Sequence, residues 1–567
     1  MSLATRRPQV YVIVLGCLFA VLMLGFFPYF LREPRPSVPT EPLFGDLGSN
    51  LGPHTRKVTT ASTLAQRYFD QGLAFLYGFN HDEAIRSFEA AAASDPKCAM
   101  AYWGVAAASF EYMFNPSFDE ARVKAAWDAL AQARRLEEGA APVERALIEA
   151  LATRYADPPP SDRLPLDRAY YTAMRRVWKA YPDDADVGTL AAQALMATQR
   201  GGQWAPNGDP MPDTQTVIEM LDRVLTKSPE HPFASHLLIH AVEASSHPER
   251  GDTAANRLRD YAPGLAHLTH MPSHIDIRRG RWQPAVTACE KAIAADAAYR
   301  KIVKPPGFYW ILMAHNHHML AYAAAMQGDS RKATQTIQEM IAAYFSGEIP
   351  RQYPAMVDGF FAMPYELDLR FGRWDAMLAE APPGPSFPVA TALWHFARGV
   401  AFAAKNQVAD AKNEQAKFLA AKIAVPGGLT FRFTPAAELL DVADSMVAGE
   451  ILFRQGKLDE AVAALKVAVQ REDSLPYSEP PDWFQPVRHA LAAVLMDAGR
   501  YAQAETVCRE DLVRHPENGW SLFGLSQSLR KQKKIAKANA VTARFNEVWQ
   551  YADIKLTASC LCVPGKE

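Results

Sequence analysis

The chain has 567 residues, 49% of them hydrophobic and 22% charged, with 60 lysines and arginines against 62 aspartates and glutamates. This globular composition excludes a disordered chain and a collagen-like fibre. A net charge of −2 without clustered basic residues excludes an extended phosphate-binding surface, so nucleic acid is not an expected partner.

From Val10 to Leu31 no charged side chain occurs, a run long enough to cross a hydrocarbon core of about 30 Å as one helix. Arg6 and Arg7 precede it and no small-x-small cleavage site follows, so it reads as an uncleaved signal anchor with the body outside the cytoplasm. The expected order is a cytoplasmic N-terminus over 1–9, a transmembrane helix over 10–31, a Pro-, Gly-, Ser- and Thr-rich tether over 32–60, a helical body over 61–556 and a tail over 557–567.

The body is alanine-rich helical text broken by frequent prolines and glycines. A window starting at Ala65 sets Tyr68, Gly72, Phe75, Ala84, Phe88, Ala91 and Pro96 at positions 4, 8, 11, 20, 24, 27 and 32 of a 34-residue unit. Small residues at 8, 20 and 27 let two antiparallel helices approach, large ones fill the gap, and the proline stops the second helix. Units beginning at Val442 and Gln485 repeat the pattern, with looser copies marked by Gly399 and Ala411 and by Trp520, Gly524 and Ala536. This pattern resembles the tetratricopeptide repeat over roughly residues 65–545. The resemblance implies an all-α superhelical solenoid of antiparallel helix pairs whose first helices line a concave groove.

Ten of the 15 histidines fall between His231 and His318, where an even spread would place about two. Repeat windows from Pro232 and Ala266, and a third near Ala314, put His236, His240, Glu243, His267, His270, His274, His315 and His318 at positions 2, 5, 9 or 12. In the family those positions face the groove. Helical spacing agrees independently, because residues three, four and seven apart share one face: His236, His240 and Glu243 project together, as do His267, His270 and His274. His317 is expected to turn into the helix packing, and Pro272 to kink its helix or start a new one.

Neutral nitrogen ligands gathered from three adjacent helices, with a carboxylate, are what a copper, zinc or iron site requires. A metalloprotease is disfavoured, since Leu237 stands where the zincin glutamate would follow His236. No glycine-rich phosphate loop, dinucleotide fingerprint or Gly-x-Ser-x-Gly elbow occurs, so nucleotide chemistry and serine hydrolysis lack support.

Insertions at Gln199–Pro212, Val303–Trp310, Pro350–Pro364 and Ala381–Pro388 are expected to fold over the groove or to run along the surface, and Tyr477–Pro486 near the far end reads as another ordered insertion. The six cysteines are too scattered for a disulfide framework; Cys98, Cys289 and Cys508 sit in apolar helical text, while Cys560-Leu-Cys562 is suited to a soft metal or a bridge.

The strings around His236, His267 and His315, together with Asp95-Pro96-Lys-Cys98 and Asn518-Gly-Trp520, resemble a pattern of large bacterial tetratricopeptide proteins. With the apolar run over 10–31, the expected location is a bacterial inner membrane, crossed once, with the body in the periplasm. Two functions fit: a transition-metal protein, with a metalloenzyme acting on a small-molecule substrate as one form, and a non-catalytic scaffold that clasps a protein or peptide in its groove.

Overall fold

A computed structural model describes residues 50–109, 120–199, 202–303 and 307–563. The transmembrane helix expected over 10–31 lies outside the described residues. Among the described residues no helix is long and apolar enough to cross a membrane.

Helix hairpins follow one another along the chain, from Thr63–Tyr77 with His81–Ser94 to Gly519–Lys531 with Ile535–Val548. Their starts are set by side chains that satisfy otherwise unpaired amides: Ser62 accepts from the Ala65 N–H at 3.2 Å, Asp329 from Lys332 at 3.1 Å and Asn518 from Ser521 at 2.9 Å. The small residues do what the repeat requires of them. A Cβ on Gly72 would lie 2.6 Å from the Phe88 ring and one on Gly104 2.4 Å from it, so the first hairpin and its successor close on that ring because both glycines lack side chains. The same holds further on, where a Cβ on Gly449 would meet Leu465 at 2.7 Å. The fold is thus an all-α, tetratricopeptide-like array, apart from one two-stranded antiparallel ribbon, Thr430–Phe431 with Thr434–Pro435.

Two apolar cores run through the array, one spanning Leu51 to Phe371 and the other Ala362 to Val563. The first also takes in Phe484, Trp520 and Leu556 from the C-terminal part, because the last hairpins fold back on the central ones. Trp520, fully buried, donates its indole N–H to the Ala325 carbonyl at 3.0 Å, and Trp282 donates to Glu517 at 3.0 Å. Asp553 accepts from the Ser330 and Arg331 amides at 2.8 and 3.0 Å, capping the Ser330–Tyr344 helix from the far end of the chain.

Two segments expected as loose connections are packed. Residues 50–60 of the tether lie across three hairpins: Gly264 donates to Asn50 O at 2.8 Å, Arg56 reaches Asp184 and Asp186, and the Thr59 amide donates to Glu144 at 2.7 Å. In the tail, Ser559 donates to the His489 carbonyl at 2.9 Å, and Cys560 and Cys562 are buried and joined as a disulfide. Cys98, Cys289 and Cys508 are buried free thiols.

Candidate metal centre

Three neighbouring hairpins supply the centre through Pro232–Val242, the pair Ala266–His270 and Pro272–Arg278, and Trp310–Met326. Pro272 begins a new helix where the chain would otherwise have lost a backbone donor, and Met271 keeps helical angles (φ −51°, ψ −36°), so His267, His270 and His274 stay on one side.

Six of the predicted side chains converge in two clusters. In the first, His236 Nε2 lies 3.1 Å from His240 Nε2 and 3.1 Å from His267 Nε2. In the second, His270 Nε2 lies 3.2 Å from His274 Nε2, and the His315 ring centroid stands 4.9 Å from that of His270. In each cluster one nitrogen from every ring falls within 4.8 Å of the others.

Hydrogen-bond partners on the opposite nitrogens decide what those close approaches mean. His236 Nδ1 faces the Tyr77 carbonyl at 2.8 Å and His240 Nδ1 faces Glu243 Oε1 at 3.1 Å; oxygen acceptors there require the protons to sit on Nδ1. In the neutral rings both Nε2 atoms then carry lone pairs aimed at each other. The second cluster repeats the arrangement. Ser273 spends its hydroxyl proton on the His270 carbonyl at 2.7 Å and so can only accept from His270 Nδ1, 3.4 Å away. Glu243 Oε2 lies 2.6 Å from His274 Nδ1. That last contact departs from linear hydrogen-bond geometry, leaving both atoms without a well-formed bond, but the carboxylate still fixes the same tautomer.

Glu243 therefore spans the clusters, one oxygen on a ring of each. It stands behind the converging nitrogens rather than among them, as carboxylates that orient metal-bound imidazoles do. Burial would raise its carboxyl, yet the His274 and His240 imidazoles beside it hold it well below the usual carboxylate range. Burial depresses His236, reinforced by the His240 ring, and likewise His267 beside His236, His270 beside His274 and His315 beside His274. Neutral rings are the metal-ready form.

His318 does not join the clusters. Its Nδ1 lies 2.8 Å from Arg432 Nη1 at the tip of the ribbon, and Arg432 is itself held by Asp482 at 2.9 Å. His317 packs away from the centre, with Nδ1 2.9 Å from the Met313 carbonyl and its ring edge-on to Tyr344.

The centre is walled by residues distant in sequence. Phe79, at positive φ (58°), covers the first cluster with its ring centroid 4.3 Å from His236 and 5.1 Å from His267. On the other side Tyr477 donates to Glu479, whose carboxyl is pushed up to about 8 by burial, with the Glu243 charge adding to the shift. The Gln199–Pro212 insertion rests on the same structure, Trp204 donating to the Ala241 carbonyl at 2.8 Å. The insertions holding Trp204 and Tyr477 stand out in the sequence, but no local pattern announces Phe79.

A third group, His54, Asp186 and His231, is a structural pin. Asp186 Oδ1 accepts from Tyr77 at 2.5 Å and lies 3.0 Å from His54 Nε2 and 3.1 Å from His231 Nε2, while Oδ2 accepts from Arg56 at 2.9 Å. His231 Nδ1 accepts from the Ala234 amide at 3.1 Å, capping its helix, so its Nε2 donates to Asp186.

No family model matches the sequence, and no curated protein does. Among solved structures, a human IFIT1 dimer with m7Gppp-AAAA is 11% identical with a TM-score of 0.32, covering 91% of this chain and 96% of that one. Yeast Tom70 is 11% identical at 0.26, covering 85% and 89%, and the P58(IPK) TPR domain is 11% identical at 0.20, covering 83% and 98%. At those TM-scores the superpositions carry no argument; the class rests on the hairpins themselves.

Proposed function

We propose that the chain is a metalloprotein whose buried centre holds two transition-metal ions, one per three-histidine cluster, tied together by Glu243. The observation that carries this is the pairing, in the neutral rings, of Nε2 lone pairs between His236 and His240 at 3.1 Å and between His270 and His274 at 3.2 Å. Such pairs repel unless a cation lies between them. Three nitrogens around one ion at about 2.0 to 2.1 Å stand about 3.3 Å apart in tetrahedral geometry, close to these separations.

Copper, zinc and iron all accept three imidazoles. A site with three protein ligands keeps an open position, which is the arrangement of catalytic rather than purely structural metals, so the reading extends to a metalloenzyme acting on a small molecule. Bound metal would supply a Lewis acid or a redox couple; the protein's own share is to hold six rings oriented, to keep His236, His267, His270 and His315 neutral by burial, and to exclude water with Phe79. The apolar run over 10–31 belongs to the same reading as a membrane anchor that leaves the body in the periplasm.

Elemental analysis of the purified chain after metal loading and desalting tests the proposal. Two equivalents are expected, falling to one in His236→Ala and to one in His274→Ala. A chain that retains no metal under replete conditions removes the reading. The helix-hairpin array favours a second reading, a non-catalytic scaffold for a protein or peptide, and that one stands if the metal-free chain is the native form.

A further inference from the structure

Outside the imidazole clusters, Glu450 on the Ala436–Arg454 helix is fully buried, and neither carboxylate oxygen has a hydrogen-bond partner. Arg454, one turn along, gives its guanidinium to the Cys562 carbonyl instead. A buried carboxylate without donors is costly to keep, and this one is aimed at sulfur. One oxygen of Glu450 and the Sγ atoms of Cys560 and Cys562 all lie within 4.8 Å of one another.

Gln485, in the Tyr477–Pro486 insertion, completes the ring of donors. Its Nε2 lies 3.3 Å from Cys560 Sγ, and its Oε1 is buried without a partner. A half-turn of the amide plane puts that oxygen where the nitrogen now stands. The cysteines are joined as a disulfide with Cα atoms 5.2 Å apart. Thiolate, not disulfide, is the metal ligand, so the pair in this state closes the site.

We propose that Cys560–Cys562 is a redox gate over a separate metal site, in which the two thiolates, the Glu450 carboxylate and the Gln485 amide oxygen hold one zinc-class divalent ion. Opening needs a small thiol as reductant. Two of its molecules deliver two electrons and two protons, the Cys560–Cys562 bond breaks, both cysteines become thiols, and the reductant leaves as its own disulfide. The ion then displaces the two thiol protons to solvent. Two oxygens beside two sulfurs suit a borderline ion such as zinc better than cuprous copper, which favours soft donors throughout. From Asp553 to Val563 the tail has neither helix nor strand, so local release uncovers both sulfurs without breaking a hairpin. The site shares no ligand with the histidine clusters and does not rest on them.

Cobalt(II), as a spectroscopic substitute for zinc, tests this on the full chain before and after treatment with dithiothreitol. A near-ultraviolet sulfur-to-cobalt charge-transfer band is expected only after reduction. It should vanish in the double variant Cys560→Ser/Cys562→Ser, persist in His236→Ala, and need about tenfold more cobalt in Glu450→Gln. A reduced chain without the band overturns the proposal, as does a band that survives loss of both cysteines, an unchanged affinity in Glu450→Gln, or a disulfide that the thiol does not open in the folded chain. Should the double variant fail to fold, alkylation of the unaltered reduced chain decides the matter. Zinc should shield Cys560 and Cys562, and equal labelling with and without zinc contradicts the site.

Discussion

Glu243 lies between His240 and His274, with Oε1 3.1 Å from the Nδ1 of one and Oε2 2.6 Å from the Nδ1 of the other. One carboxylate thus sets the tautomer of a ring in each cluster and couples the two clusters.

Glu243→Gln keeps the shape but removes the charge and one acceptor oxygen. Metal affinity should fall about 10- to 100-fold at both clusters, the usual cost of losing a carboxylate behind a metal-bound imidazole. Competition against a chromophoric chelator reads this directly. A loss confined to one cluster would show that the carboxylate serves only one ring.

Metal binding at pH 7 should draw no protons from His236, His267, His270 or His315. His236, His267, His270 and His315 are all held below the ordinary imidazole value of 6.5, chiefly by burial, so they are neutral before the ion arrives. The sign follows from linkage: the unfolded chain takes up protons first as the pH falls below 6.5, so the stabilisation contributed by neutral rings is present above that value and lost below it. Calorimetric titration in buffers of differing ionisation enthalpy gives the proton count, and release of two or more protons per ion at pH 7 would contradict the neutral state of these four rings.

Tyr77 touches the centre through its backbone and the Asp186 pin through its side chain, so the two roles separate. Tyr77→Phe keeps the carbonyl that faces His236 Nδ1 but loses the phenol hydrogen bond to Asp186. Stability should drop by ~1 to 3 kcal/mol, the cost of weakening a hydrogen bond to a buried charge, with metal stoichiometry unchanged. Asp186→Ala leaves Arg56 its pair with Asp184 but removes the acceptor shared by Tyr77, His54 and His231, and should cost more, ~3 to 5 kcal/mol. Chemical denaturation of the metal-free variants measures both.

Gly72→Ala inserts a methyl group at 2.6 Å from the Phe88 ring. Overpacking of this kind costs ~1 to 3 kcal/mol, and Phe88→Leu in the same chain should recover part of it. An unchanged melting temperature in Gly72→Ala would show that the first hairpin closes otherwise.

Much of the array was legible because its signals are local. Gly72, Ala84 and Phe88 recur at spacings that only a helix hairpin needs, and His236 with His240, or His270 with His274, share a face by helical period alone. Convergence of the two groups followed from the repeat register, which sets successive hairpins side by side. His318 shows where that reasoning stops: it stands three residues from His315, yet Arg432 claims it from an inserted ribbon that no repeat register positions. Phe79, Tyr477 and Glu479 were illegible for the same reason, since they reach the centre through turns and insertions whose paths depend on tertiary packing. The strap at 50–60 looked like a linker because proline, glycine and serine enrich both; only the Arg56 and Asp186 pairing distinguishes it.

Diffraction from metal-loaded crystals at the absorption edge of the bound ion bears most directly on the centre. Two anomalous peaks are predicted, one about 2 Å from the Nε2 atoms of His236, His240 and His267 and one at the same distance from the facing nitrogens of His270, His274 and His315. Loaded crystals with no anomalous density at either cluster, and rings turned to bond one another or water, would contradict the two-metal centre.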